Sequence, residues 1–241
     1  MSRQRVLKRS LPCEFGGTSL FVSPDAQLKY LKLGREAFDE DLLNIAHRFL
    51  KPGFNVWDIG ANVGVFTFAA ASIVETGKIL AVEADIWLAQ LLYRSKLLNK
   101  DKEFDITVLA VAVSERIGLA QFIIAKRGRA SNALEAVGGN KMMGGIRHVQ
   151  TVPVLTLDIL LRETFSPDFI KIDVEGAEAL VLEGAVEILR DVRPIVYIEV
   201  NNKNRNHVTQ LLNKYEYELL DGQSYKKIER CVSNTLAIPL S

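Results

Sequence analysis

Apolar residues recur along this chain with two periods that take turns. Phe38, Leu42, Ile45, Ala46 and Phe49 fall at helical spacing over 38–50, and Lys51-Pro52-Gly53 stops the pattern. A short apolar run over 55–59 reads as a strand, 66–73 as a helix reaching about Val74, and Glu75-Thr76-Gly77 as the turn into a second strand over 78–83. Residues 87–99 carry Leu88, Leu91, Leu92 and Leu98 on one helical side. The stretch 106–113, rich in β-branched residues, predicts a strand buried on both faces. The alternation then loosens into strands over 119–125 and 151–155, separated by a segment holding Gly128, Gly138, Gly139, Gly144 and Gly145. It resumes with a strand over 169–173, a helix over 175–183, a strand over 194–200 and a helix over 207–215. A hairpin built from 217–220 and 224–228 around Asp221-Gly222 closes the pattern, and residues 15–22 read as a hairpin or extended cap in front of it.

Strands alternating with helices predict an α/β fold, Rossmann-like and doubly wound, with a mostly parallel sheet and an antiparallel C-terminal hairpin at its edge. No internal repeat or linker divides the chain. The expected organisation is one domain, with an N-terminal extension and helix (1–50) packed on a body spanning 51–241.

Composition narrows the class. The chain has 241 residues, 48% of them hydrophobic, which is enough for a full core. Thirty basic and 29 acidic residues leave a net charge of +1, so no general attraction to nucleic acid is implied. Cys13 and Cys231 lie far apart and make neither a metal nor a disulfide framework. They read as ordinary thiols of a reducing, cytoplasmic compartment. Arg3, Arg5, Lys8 and Arg9 form a basic, solvated arm with no signal-peptide core behind it. No apolar run nears the ~20 residues of a membrane span.

The most informative segment is Asn55-Val-Trp-Asp-Ile-Gly-Ala-Asn-Val-Gly64. A strand ends near Asp58, a turn follows, and a helix begins, a unit that brings backbone close to a ligand at a helix N-terminus. A dinucleotide fingerprint would be Gly-x-Gly-x-x-Gly. Here Gly60 and Gly64 flank Ala61 and Asn62, and Asn tolerates the left-handed backbone that such a turn needs. A carboxylate at Asp58 would repel a pyrophosphate and attract the cationic end of S-adenosylmethionine (SAM), which makes SAM the expected cofactor rather than NAD. Glu83, at the end of the second strand, is placed to bind ribose hydroxyls. Backbone at Ala112 and Val113, ending the third, is within reach of an adenine.

A second acidic segment is Asp168-Phe-Ile-Lys-Ile-Asp-Val-Glu-Gly-Ala-Glu178. Asp173 ends a buried-looking strand and faces the crevice. Glu175 and Glu178 are expected in the first turn of the following helix, where acidic side chains suit the dipole, and for Glu178 this structural role is preferred. Together, Val56-Trp-Asp-Ile-Gly-Ala-Asn-Val-Gly-Val-Phe-Thr67, Glu83, Val154-Leu-Thr-Leu-Asp158, the 168–178 segment and Glu199 resemble the FkbM family of SAM-dependent methyltransferases over roughly residues 50–200. The resemblance implies a class I methyltransferase fold and methyl transfer to a hydroxyl of a small molecule, sugar or glycolipid. Residues before 50 and the glycine-rich loop match no motif of the family, and acceptor choice is expected there.

Methyl transfer to an alcohol needs an aligned nucleophile and a base. Asp173 and Glu175 are the leading candidates and His148 the runner-up. Asp173, Glu199 and Asn201 or Asn202 offer oxygen ligands suited to magnesium, so a metal is possible but not expected. Arg127, Arg129, Lys141 and Arg147 raise the prospect that 126–147 is a lid contacting an acidic acceptor. Two competing readings are an NAD-dependent oxidoreductase, disfavoured by Asp58 and the missing glycine, and a SAM-binding module without chemistry, disfavoured by the intact set of Asp58, Glu83 and Asp173.

Overall fold

The computed structural model describes residues 5–126, 128–129, 132–135 and 145–240. Five parallel strands form its centre: β3 (Val56–Ile59), β4 (Lys78–Val82), β5 (Asp105–Leu109), β10 (Phe169–Ile172) and β11 (Ile195–Glu199). Two antiparallel strands, β12 (Tyr217–Asp221) and β13 (Asn234–Pro239), extend the sheet to the order β12-β13-β11-β10-β3-β4-β5. Strand order reverses between β3 and β10, and a ligand crevice of such a sheet opens at that point, at the carboxyl ends of the strands.

Helices cover both faces. Toward one side pack α1 (Glu40–Phe49), α2 (Val65–Val74) and α3 (Ile86–Leu98), in a core that includes Phe66, Phe68, Leu88 and Phe169. Trp57, Ile170, Ile172 and Val196 face the other side, against α4 (Leu157–Glu163), α5 (Glu178–Glu183) and α6 (Arg205–Lys214). In β3 and β10 the period of two thus sends alternate residues to different cores.

Three expectations change. The apolar stretch 106–113 is two strands, β5 and β6 (Ala112–Val113), and β5 is the last strand of the main sheet, with Asp105 and Thr107 exposed. β6 belongs to a second sheet of order β6-β9-β7-β8, with β7 Gly118–Ala125, β8 Ala133–Leu134 and β9 Ile146–Leu155. The C-terminal hairpin is also differently paired. β12 runs against β13, and residues 224–228 contribute a single bridge, Leu220 to Lys227. A strand inserted between two others must be buried on both faces; Thr235, Leu236 and Ala237 are, whereas Lys226 and Lys227 suit solvent. Finally, α5 starts at Glu178 rather than Glu175, because Glu175 (φ 48°) and Gly176 (φ 102°) turn the chain through left-handed geometry first.

The N-terminal residues share the first core through Leu11, Phe15, Leu20 and Val22. β1 (Leu7–Ser10) and β2 (Ser19–Val22) form an antiparallel hairpin along α3, where Phe21 N–H donates to Ser95 Oγ at 2.8 Å. The chain then crosses the carboxyl end of the sheet on its way to α1. A buried ionic clasp fastens that crossing. Asp25 accepts from Arg129 Nε at 3.0 Å and from both terminal nitrogens of Arg147 at 2.6 and 2.8 Å. Arg129 reaches on to Asp85, the N-cap of α3, and its guanidinium lies 4.6 Å from the centre of the Trp87 ring. Asn132 Nδ2 also donates to Asp85, at 2.8 Å. Burial alone would raise the Asp25 pKa, but Arg147 and Arg129 outweigh it and hold the carboxyl below its ordinary value.

Removing one member of such a buried network strands the others. Asp25→Ala is expected to lower stability by about 3–5 kcal/mol. The wild-type contribution is fully present above about pH 4 and is lost as pH falls through the depressed native value. Calorimetric melts of both proteins from pH 3 to pH 7 check this; melting temperatures that differ equally at every pH would remove Asp25 as the titrating group.

Candidate active site

The crevice is built outward from one buried lysine. Asp58 on β3 and Lys171 on β10 are register partners of adjacent parallel strands, so their side chains share a face. Lys171 Nζ lies 3.1 Å from Asp58 Oδ1 and 3.6 Å from Asp173 Oδ2, and donates to the Gly60 carbonyl at 2.8 Å. Burial opposes the ammonium charge, but Asp58 and Asp173 outweigh it and keep the Lys171 pKa above its ordinary value. Thr67, in the first turn of α2, donates its hydroxyl to Asp58 Oδ2 at 2.6 Å.

These contacts shape the turn after β3. Gly60 has φ 78°, and a Cβ there would sit 1.8 Å from the Asp173 carbonyl oxygen, so glycine is required by the approach of β10's end. Gly60 and Ala61 N–H groups both donate to the Val82 carbonyl at 2.9 Å. Asn62 takes φ 54°, the left-handed conformation anticipated for it, and its Oδ1 accepts from Val63 N–H at 2.8 Å. Gly64 caps α2 at φ 89°, packed against Leu92 and Phe68.

Glu83 closes the other wall. Its two oxygens accept the N–H groups of Asn62 and Asp85, each at 2.7 Å. Burial nevertheless pushes its pKa up to about 7, the backbone donors compensating only in part. The cavity between these walls measures about 270 Å³. Gly60, Asn62, Glu83, Ala112, Asp173 and Glu175 line it. At its Glu83 end, Ala84, Phe122 and Leu134 add an apolar slot, the last two from the second sheet.

Further carboxyls line the crevice. The side chains of Glu175 and Glu199 make no hydrogen bond or ion pair with any described residue. Burial and the neighbouring Asp173 raise them to about 8 and about 7 respectively. Glu178 is different: it is buried, accepts from Gly176 N–H and Asn204 Nδ2 at 2.6 Å each, and holds the turn in place, the structural role preferred for it.

Several sequence-based assignments move. Asp58 is fully buried and faces Lys171, so it shapes the turn from behind and does not line the crevice. Gly64 serves helix packing, and Ala61 lines a smaller adjoining cavity. His148 lies within β9, exposed beside Gln150, and lines neither cavity. Arg129 and Arg147, expected in a lid, are committed to the clasp, while Arg127 and Lys141 lie outside the described residues. Asp173, Glu199, Asn201 and Asn202 do border one outer groove, but among the described residues no three His, Cys, Asp or Glu side chains are grouped to hold a metal ion. Lys171 has no role in the sequence-based assignments, although a lysine set inside Phe-Ile-Lys-Ile is a legible sign of a buried counter-charge. Gln27, Asp39, Phe122, Arg129 and Asn132 line the crevice with no local signature in the sequence.

The comparisons with known proteins agree with this architecture. A family model described as Methyltransferase FkbM domain matches residues 58–219. No curated protein sequence matches the chain. Among solved structures, a methyltransferase FkbM from Methylobacillus flagellatus KT is similar, at 16% identity and TM-score 0.52, over 89% of this chain and 58% of that one. TYW2 of P. horikoshii, solved in complex with MeSAdo, aligns at 13% identity and TM-score 0.50 over 98% of this chain and 70% of that one. At such identities these two structures speak for the fold alone. The family match covers most of the chain, from Asp58 in the first strand-end motif through the whole of the second, and the chain belongs to the FkbM family of SAM-dependent methyltransferases.

Proposed function

We propose that this chain transfers a methyl group from SAM to a hydroxyl oxygen of a small molecule, sugar or glycolipid. The observation that carries the reading is the mixed lining of the crevice. Ala84, Phe122 and Leu134, with the buried carboxyl of Glu83, suit adenine and ribose. Asp173, Glu175 and Glu199 suit a sulfonium and an acceptor proton.

In this reading Glu83 holds the ribose hydroxyls, Gly60 and Asn62 supply the backbone floor, and Ala112, Phe122 and Leu134 flank the purine. When bound, SAM supplies an electrophilic methyl group. The chain's part is to align the acceptor oxygen and to receive its proton. Asp173 is held at the wall by Lys171 and acts as a positioning group. Glu175 is the preferred base: its carboxyl has no partner among the described residues, and its raised pKa makes it more basic than an ordinary carboxylate.

Two measurements test this. Calorimetric titration should show binding of SAM and S-adenosylhomocysteine (SAH) but not NAD, weakened in Glu83→Ala by about 1–3 kcal/mol. Binding of NAD alone would sink the methyltransferase reading, and binding without turnover on any hydroxylated acceptor would favour a non-catalytic module. With an acceptor in hand, kcat/KM should rise with pH until about 8, as Glu175 loses its proton, and level off above. Glu175→Gln should flatten that limb and lower kcat by roughly 10²–10⁴-fold. An unchanged profile in the variant would assign the proton to another group.

A further inference from the structure

A second, smaller cavity of about 100 Å³ adjoins the crevice. The two share a wall made by Gln27, Asp39, Asn62, Asp173 and Glu199. On its far side the smaller cavity is lined by Tyr30, Leu42, Phe66 and Tyr197, none of which touches the larger one. The N-terminal crossing and the start of α1 therefore form its outer boundary. Resting on the methyltransferase reading, we propose that this cavity is the acceptor subsite, that Tyr30 and Tyr197 select the acceptor, and that the group they receive is uncharged and polyhydroxylated.

The phenols carry the assignment. Tyr30 is 2% exposed and Tyr197 4%, and neither hydroxyl has a hydrogen-bond partner among the described residues. The buried polar atoms left without a partner include the Tyr217 hydroxyl but neither of these two, whose oxygens open on the cavity that both residues line. There they present donors and acceptors for a ligand to satisfy. Burial and nearby carboxylates hold both pKa values above their ordinary value, so both stay protonated at neutral pH. Their rings, with Phe66, offer flat apolar surface to the C–H faces of a saturated ring.

The charges set the acceptor's class. Asp39 is paired with Lys29 at 2.8 Å and Asp173 with Lys171 at 3.6 Å, while Glu199 has no ion-pair partner among the described residues. A phosphate or carboxylate here would face Asp39, Asp173 and Glu199, and Lys171, the cation in the cavity's lining, is already taken up by Asp58, Asp173 and the Gly60 carbonyl. Arg129 and Arg147, which might have received it, are committed to Asp25 and Asp85. An ammonium would compete with the two lysines for the same carboxylates. Hydroxyl groups, which both donate and accept, match phenols and carboxylates together.

The test uses SAH-loaded protein and methyl glycosides of hexoses, with the corresponding sugar phosphates, uronic acids and amino sugars as rivals. Binding is read by saturation-transfer NMR and titration. The glycosides should bind, Tyr30→Phe and Tyr197→Phe should each weaken them at least fivefold, and Leu42→Phe, which fills the cavity, should abolish binding. The SAH Kd should stay within twofold throughout, because none of these residues lines the larger cavity. Preference for a phosphorylated, carboxylated or amino sugar, absence of glycoside binding, or variants that shift SAH and spare the glycoside would each overturn the assignment. SAH that fails to bind wild-type protein would instead bring down the methyltransferase reading, and the subsite with it.

Discussion

The ammonium of Lys171 is the group on which the site depends. It sits 4% exposed in β10 between Ile170 and Ile172, a position whose apolar neighbours make an unpaired charge untenable. Asp58, Asp173 and the Gly60 carbonyl meet it from three directions. Each of these belongs to a different part of the crevice: the strand before the turn, the strand end after it, and the turn itself. One buried cation thereby fixes β3, β10 and the loop between β3 and α2 in a single geometry. A buried ion pair of this kind adds little net stability over an apolar replacement, yet breaking it on one side is costly. Its value here is positional.

Because Lys171 takes up Asp58, acidity is shared out unevenly along the crevice. Glu83 is satisfied by two backbone N–H groups, Glu178 by a backbone N–H and an amide, and Asp173 by the lysine. The side chains of Glu175 and Glu199 have no such partner among the described residues. On the proposed function, carboxyls of the same intrinsic chemistry are thus graded by their partners into structural, binding and reactive groups. The grading follows from the backbone: Glu175 stands in a left-handed turn before α5, out of reach of the helix N–H groups that would otherwise have claimed it.

Local pattern made much of this legible. The strands and helices from β3 to α3, and β10 after them, stood out because their apolar runs are strong and their turns carry Gly, Pro or Asn. Asn62 was readable for the same reason, since only a few side chains accept its φ. What escaped depends on partners distant in sequence. β13 is a central strand only because β11 and β12 flank it, and β6 leaves the main sheet because β9, some forty residues later, claims it. Arg129 and Arg147 looked like free basic residues of a loop, because nothing near them in the chain announces Asp25 and Asp85. His148 looked poised for chemistry for the same want of a partner strand: pairing with β7 fixes it in β9, outside the crevice.

This split between local and distant determinants corresponds to a division within the molecule. The family match begins at residue 58, and the elements that would bind the cofactor lie inside it. Gln27, Tyr30, Asp39 and Leu42, which bound the smaller cavity, lie outside it. The two halves are constrained differently. A turn whose glycine must clear a carbonyl oxygen, and a lysine that must be neutralised from three sides, leave few alternatives in sequence. A wall of side chains lying across the sheet's carboxyl ends needs only to be anchored, and the Asp25 clasp anchors it by charges that do not enter the smaller cavity. If this wall meets the acceptor, as proposed, the residues between its anchor points are free to vary with it while the methyl-donor end stays fixed. On the assignment made for Tyr30 and Tyr197, a change of acceptor would require new side chains in the crossing and no change in β3, β4 or β10.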